Sequence, residues 1–151
     1  MGLDMHLYRE TYLGFNYEHR RTESTYGIFP DLSEFGIVKD RISEITELVA
    51  YWRKANHIHQ WFVDNVQNGV DNCARYYVDF GQLKELVDLC KELLKEKDVA
   101  LYEEKLPTQE GFFFGDCEYN ENYVQDLKDT IKQIKPLWKE MSAEFYYQSS
   151  W

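Results

Sequence analysis

Cysteine is scarce: Cys73, Cys90 and Cys117 are the only three in 151 residues, and none falls in a C-x-x-C pair. An odd, widely spaced set argues against a disulfide framework and for a reducing, cytoplasmic compartment. No window approaches eighteen consecutive apolar residues, so no transmembrane helix is expected. The start, M-G-L-D-M-H-L-Y, lacks a basic stretch followed by an apolar core and is not read as a secretory signal. It also lacks the Ser or Thr of an N-myristoylation signal. Positive charge is the other shortage, with 17 Lys and Arg against 27 Asp and Glu and a formal charge of -10. Such a surface repels nucleic acid and anionic membrane unless its cations are gathered into one patch. Neither is therefore expected as a direct partner. No repeat, low-complexity tract or dividing linker interrupts the chain, which reads as one domain over 1–151.

Aromatic residues are abundant: twelve Tyr, nine Phe and four Trp. Each can bury a large area, and a chain of this length can bury roughly 70% of its unfolded surface. A core that needs neither disulfide nor metal follows. The expected fold is α+β, an antiparallel sheet packed against two or three helices. Leu3, Met5 and Leu7 alternate with Asp4, His6 and Tyr8, the period of a half-buried strand. Gly14 to Asp40 lacks periodicity and reads as a long loop, with Tyr26 to Phe29 as an added edge strand. Ile42 to Trp52 fits both periods; the helical frame of Ile42, Ile45, Val49 and Trp52 is taken, running on through Trp61. Ala55, Ile58, His59, Phe62 and Val66 share its core face, and Asn68-Gly69 stops it. Ala74 to Val78 reads as a short strand. Asp79 with Gln82 forms a capping box ahead of the stripe Leu83, Leu86, Val87, Cys90, Leu93 and Leu94. Val99 to Tyr102 is read as extended, and Phe112 to Phe114 as a buried strand. A helix over Asn120 to Met141 carries Tyr123, Leu127, Ile131, Ile134, Trp138 and Met141 on one side, with Pro136 ending its regular part early. Glu144 to Trp151 alternates and closes the sheet; with Tyr146, Tyr147 and Trp151 it points to an exposed edge and a homo-oligomer.

One stretch is not accounted for by helix propensity. Tyr51 to Phe62 reads Y-W-R-K-A-N-H-I-H-Q-W-F and crowds in residues that are mediocre helix formers but good at reading a ligand. Stepping by three and four places Arg53, Asn56, His57, Gln60 and Asp64 along one polar side. Arg53 and Lys54 are the residue types that hold a phosphate or carboxylate, with Asn56, His57 and Gln60 adding directional hydrogen bonds. Trp52 or Trp61 would supply a stacking wall. The competing reading is a solvated helix whose aromatics cover neighbouring strands.

His57 and His59 point about 200° apart on a helix and cannot form the i, i+4 pair of a helical zinc site, so neither metal nor other cofactor is expected. His57 is the surface candidate and His59 a core-edge imidazole bonded to a carbonyl. Asp71, Asn72 and Cys73 follow the helix stop and would return to the same pocket mouth; Cys73 reads as a small buried hydrophobe. Gly111 to Gly115 frames three Phe with no Lys-Ser/Thr after it, so it is not a phosphate loop. A second candidate surface is acidic and aromatic: Asp116, Glu118, Tyr119, Glu121, Tyr123 and Asp126. It reads either as an ordinary helix start or as a face for a basic protein groove.

At Met1 to Tyr8, Tyr51 to Val63, Gly111 to Gly115 and Phe145 to Trp151 the chain resembles a group of small phage and prophage proteins. The shared motifs are M-G-L-D-M-x-L-Y, Y-W-R-K-A-N-x-I-H-x-W-F, L-P-T-Q-x-G-F-F-F-G and F-Y-Y-Q-S-S-W. The resemblance implies a phage or mobile-element protein acting in the bacterial cytoplasm, a setting in which small accessory proteins counter host defence. The resulting expectation is a non-enzymatic binding protein that sequesters a small anionic, nucleotide-like ligand. Two alternatives stand beside it. One is an acidic inhibitor that occupies a nucleic-acid-binding defence effector; the other is a small hydrolase or transferase using His57 with Asp64 or Asp71.

Overall fold

The alternation of apolar residues near the start is realised as strand β1, Asp4–Tyr12, with Met5 and Leu7 fully buried. It is joined by β2 (Glu44–Arg53), β3 (Tyr76–Val78) and β4 (Glu144–Ser150) in a four-stranded antiparallel sheet of order β2-β1-β4-β3. A computed structural model provides these coordinates and describes residues 2–140 and 143–151. Met141, expected on the apolar side of the last helix, lies outside the described residues. Among the described residues four α-helices accompany the sheet: α1 (Asn56–Asn65), α2 (Phe80–Glu96), α3 (Val99–Lys105) and α4 (Glu121–Ile134). The fold is therefore α+β with an antiparallel sheet.

Contacts divide the chain into two compact units. The larger comprises Met1–Arg9 and Leu48–Trp151. In it the inward residues of the sheet, Met5, Leu7, Trp52, Phe145 and Tyr147, with Leu3 just ahead of β1, share one apolar cluster with Ile58 and Phe62 of α1. Leu83, Leu86, Cys90 and Leu93 of α2 and Leu127 and Ile134 of α4 complete it. Tyr147 stacks flat on Phe62 at 3.9 Å between centroids, locking α1 to the sheet.

The smaller unit is Glu10–Glu47. Its long aperiodic stretch is organised by short helical turns around the fully buried Phe15, which Tyr26 and Phe29 meet edge-on at 5.1 and 5.3 Å. The backbone of Phe15 donates to Ile42 O at 2.8 Å, and Phe15 O accepts from Arg21 Nε at 2.7 Å. The edge strand expected at Tyr26 to Phe29 is not formed; Glu23–Gly27 is a π-turn instead, because the Tyr26 and Phe29 rings are drawn onto Phe15.

Several other expectations need correction. Ile42 to Trp52 is a strand, not the beginning of a helix: Ala50 and Trp52 alternate inward, and the helix starts only at Asn56. Lys54, at φ +58, turns the chain between the two. Val99 to Tyr102 is the start of α3, because Asp98 caps it by accepting from Ala100 N at 3.0 Å. Phe112 to Phe114 is a turn. Positive φ at Phe113 and Gly115 breaks any strand, Phe112 is 85% exposed, and only Phe114 is buried. β4 sits inside the sheet between β1 and β3, the latter pairing with Phe145–Tyr147, so it is not the edge strand expected; Tyr147 is fully buried. The Asp79–Gln82 capping box and the early end of α4 before Pro136 form as expected, with Lys135–Glu140 continuing as a 3-10 turn.

Candidate functional site

A sharp corner creates the site. β2 ends at Arg53, and Lys54 enters the left-handed region with its N–H donating to Leu3 O at 2.7 Å. A non-glycine residue is uncommon in that region. The corner leaves both cations exposed at one lip of a cleft, with the Arg53 side chain 58% exposed and 3.9 Å from Asp4 Oδ1. The opposite lip is the segment running from Gly115 into α4. Gly115, at φ +93, packs so closely that an added Cβ would lie 3.0 Å from Lys54 Cβ and 3.2 Å from Lys54 O. Glycine is needed there on both counts.

Asn56 joins the two lips. Its Nδ2 donates to Phe114 O (3.1 Å) and Asp116 O (2.9 Å), while its Oδ1 accepts from Gln109 N (2.9 Å). Every hydrogen-bonding direction but one is thereby used within the chain. Asn56 is a clamp for the 109–116 loop and not a free reader of ligand. Asp116 is held in turn: its Oδ1 accepts from Glu118 N at 3.1 Å and from Asn120 Nδ2 at 3.3 Å. Asn120 Oδ1 caps α4 through the N–H groups of Asn122 and Tyr123.

The floor holds the group with the most unusual environment. His57, expected on the surface, is only 3% exposed because its ring lies on Tyr123 at 4.2 Å and 29° between planes. Tyr123 is fixed by donating to Leu106 O at 2.8 Å, and burial holds its hydroxyl protonated. His57 Nε2 is buried and has no hydrogen-bond partner among the described residues; Asp126 Oδ2 lies 3.7 Å away, beyond hydrogen-bonding distance. Desolvation pushes the His57 pKa down to about 3, with Asp116 pulling weakly the other way, so the ring is neutral at pH 7. Desolvation, followed by Asp129 and Asp116, pushes the Asp126 carboxyl up to about 7. The two facing groups are thus both easily neutral at neutral pH.

The cleft has a volume of about 260 Å³. It gathers four residues of the first expected set, Arg53, Lys54, Asn56 and His57, with four of the second, Asp116, Glu118, Tyr123 and Asp126. The two candidate surfaces are one site. Trp52, Gln60 and Trp61 do not line it. Trp52 is buried with its Nε1 donating to Thr130 Oγ1 at 2.9 Å, and Trp61 is buried edge-on to Phe62. Neither is available to stack on a ligand. Gln60 donates to Asp64 at 2.8 Å. Tyr119 and Glu121 border a separate groove between α3 and α4. Thr108, Asn122 and Gln125, absent from both expected sets, line the cleft. The signal for Thr108 was the L-P-T-Q run ahead of the glycine-framed turn; nothing local marks the other two.

His59 is buried as expected, but its partners are side chains and not a carbonyl. Nδ1 meets Tyr147 Oη at 2.7 Å and Nε2 meets Asp71 Oδ1 at 3.0 Å. Asp71, Asn72 and Cys73 therefore belong to another place in the fold, and Cys73 is exposed, not buried. Because Asp64 bonds Gln60 and Asp71 bonds His59, the carboxylate facing His57 is Asp126. Among the described residues no group of three His, Cys, Asp or Glu side chains is placed to hold a metal ion, and no helix is long and apolar enough to cross a membrane. Comparison with protein-family models, with curated proteins and with solved structures returned no match.

Proposed function

We propose that the chain is a non-enzymatic binding protein that captures a small anionic, nucleotide-like ligand in this cleft. The observation that carries the reading is the pairing of two exposed cations, Arg53 and Lys54, at the lip with a buried, unpartnered His57 Nε2 at the floor. A buried polar atom left without a partner costs free energy, and a ligand that satisfies it recovers that cost. Ligand pockets of drug-sized compounds typically span roughly 300–1,000 Å³, so a cleft of about 260 Å³ suits a mononucleotide-sized compound or smaller. Since the tryptophans are buried, such a ligand is gripped by its edges, its anionic group on Arg53 and Lys54. With the resemblance of four motifs to phage and prophage proteins, this supports sequestration of a host signal in the bacterial cytoplasm as the biological role.

Calorimetric titration with nucleoside monophosphates tests it. Binding is expected in the wild type, Arg53→Ala is expected to weaken it about tenfold, in line with loss of a charge-assisted hydrogen bond, and the ligand should be recovered unchanged. Absence of binding by any mononucleotide, or its conversion to product, sinks the proposal. A second reading draws on the exposed Asp116, Glu118 and Glu121: an acidic face that occupies a basic effector. Salt-sensitive capture of such a protein with no response to nucleotides is the result that would favour it.

A further inference from the structure

The floor of the cleft has an asymmetry that the anion anchor leaves unexplained. His57 Nε2 faces the carboxyl group of Asp126, with the charge of Asp116 also felt there, while Arg53 and Lys54 stand at a lip of the cleft. An anionic group therefore has no reason to reach the floor, and a metal ion has no third ligand there among the described residues. What the floor offers is two acceptors 3.7 Å apart, one on a carboxyl and one on an imidazole buried too deeply to hold a proton on both nitrogens. Once Asp126 is ionised, above about pH 7, the two acceptors face each other without a hydrogen between them and call for a donor with at least two N–H bonds.

We infer that the deep end of the cleft is an amine site: an amino group of the ligand donates to His57 Nε2 and Asp126 Oδ2 together. The ligand class is then an anion that also bears an amino group, of which a nucleotide with an exocyclic amine is the form that fits the proposed function. This inference rests on that reading for the anionic end but not for the amine end. His57 takes part as the tautomer with its proton on Nδ1, leaving Nε2 to accept, and its stacking on Tyr123 fixes the direction of that lone pair. Carboxylates accept readily from the exocyclic amine of cytosine, and the corresponding carbonyl of uracil would face Asp126 with an acceptor.

The groups facing Asp126 set a pH signature. These are His57 on α1, Asp116 and Glu118 on the preceding loop, and Asp129 and Tyr123 on α4, with Arg53 and Lys54 across the cleft. Donation to Asp126 favours its ionised form, so capture of an amine releases the proton that the free protein holds below about pH 7. Preference for the amine should thus grow between pH 6 and pH 8.

Titration of the full chain with cytidine and uridine monophosphates at both pH values is the test, with 4-aminobutyrate as an amino anion that has no base. The expected result is cytidine monophosphate binding about tenfold tighter than uridine monophosphate at pH 8, less so at pH 6. In Asp126→Asn the ratio should fall to within about twofold; His57→Phe, which keeps a ring against Tyr123, should lower it independently. Equal binding of the two nucleotides overturns the amine site and leaves the anion-binding reading standing. Binding of 4-aminobutyrate but of neither nucleotide supports the amine site and overturns the nucleotide-like reading. Binding of none of the three overturns both.

Discussion

Asp126 and His57 illustrate how burial sets charge at single residues. Asp126 is pushed up to about 7 when folded and returns to an ordinary carboxylate value when unfolded. A raised acid stabilises the fold fully below the unfolded pKa, and that contribution is lost as pH rises through the folded one. The loss therefore runs from about pH 4 to about pH 7. His57 acts in the opposite sense: its folded pKa of about 3 lies below the unfolded value, so its contribution is present above about 6.5 and is lost as pH falls towards 3. Asp126→Asn removes only the first. Relative to wild type it should gain about 1–2 kcal/mol at pH 8, allowing for solvent screening of a carboxyl that is partly exposed, and little or nothing at pH 4. Urea midpoints at the two pH values measure this, and a variant equally stabilised at both would remove the titration argument. The sequence named both residues as candidates but could not announce their burial. His57 is expected on a polar helix side because its neighbours Arg53 and Gln60 are polar. What buries it is Tyr123, 66 positions later, and no local pattern encodes that contact.

Elements with one buried face were legible because their period survives in the sequence. β1 and β4 alternate, α2 carries its stripe behind a capping box, and α4 ends where Pro136 demands. The errors fall where two periods or two short elements compete. Trp52 fits both the helical and the strand frame of Ile42 to Trp52, and sheet pairing with β1 decided for the strand. The three phenylalanines promised burial threefold, yet two of them are carried outward by the backbone turn that Gly115 completes. The same turn explains why the two candidate surfaces, read separately, are one site: Asn56 and Gly115 bring the 109–116 loop onto the end of β2. Gly115→Ala tests that dependence. A Cβ at φ +93 is strained and meets Lys54, so the variant should lose about 1–3 kcal/mol of stability. Part of any loss in ligand affinity should persist at temperatures where the variant is fully folded, because the lip itself has moved. Thermal unfolding and titration together check this; a variant with wild-type stability and affinity would show that the loop does not need this close approach.

For the whole molecule, net charge and local charge point in opposite directions. The chain carries -10 overall, yet the proposed anion anchor is a pair of cations at one lip. Long-range repulsion acts on an approaching anion over distances comparable with the Debye length, about 30 Å at 0.01 M salt and about 8 Å at 0.15 M. Contact with Arg53 and Lys54 acts over a few ångströms and is screened much less. Raising salt from low to physiological strength should therefore speed association of a phosphate-bearing probe by several-fold while leaving its dissociation nearly unchanged. Arg53→Ala should keep the salt-dependent rise in association and speed dissociation instead, because the net field hardly alters when one of 17 basic side chains is lost. Stopped-flow kinetics at 10 and 150 mM salt separates the two rates. An association rate that falls with salt would mean that a local positive field dominates the approach, contrary to the charge balance of the chain. The acidic-inhibitor reading predicts that same fall, but for a basic protein partner and not for an anion, so the sign of the salt effect on each probe tells the two functions apart.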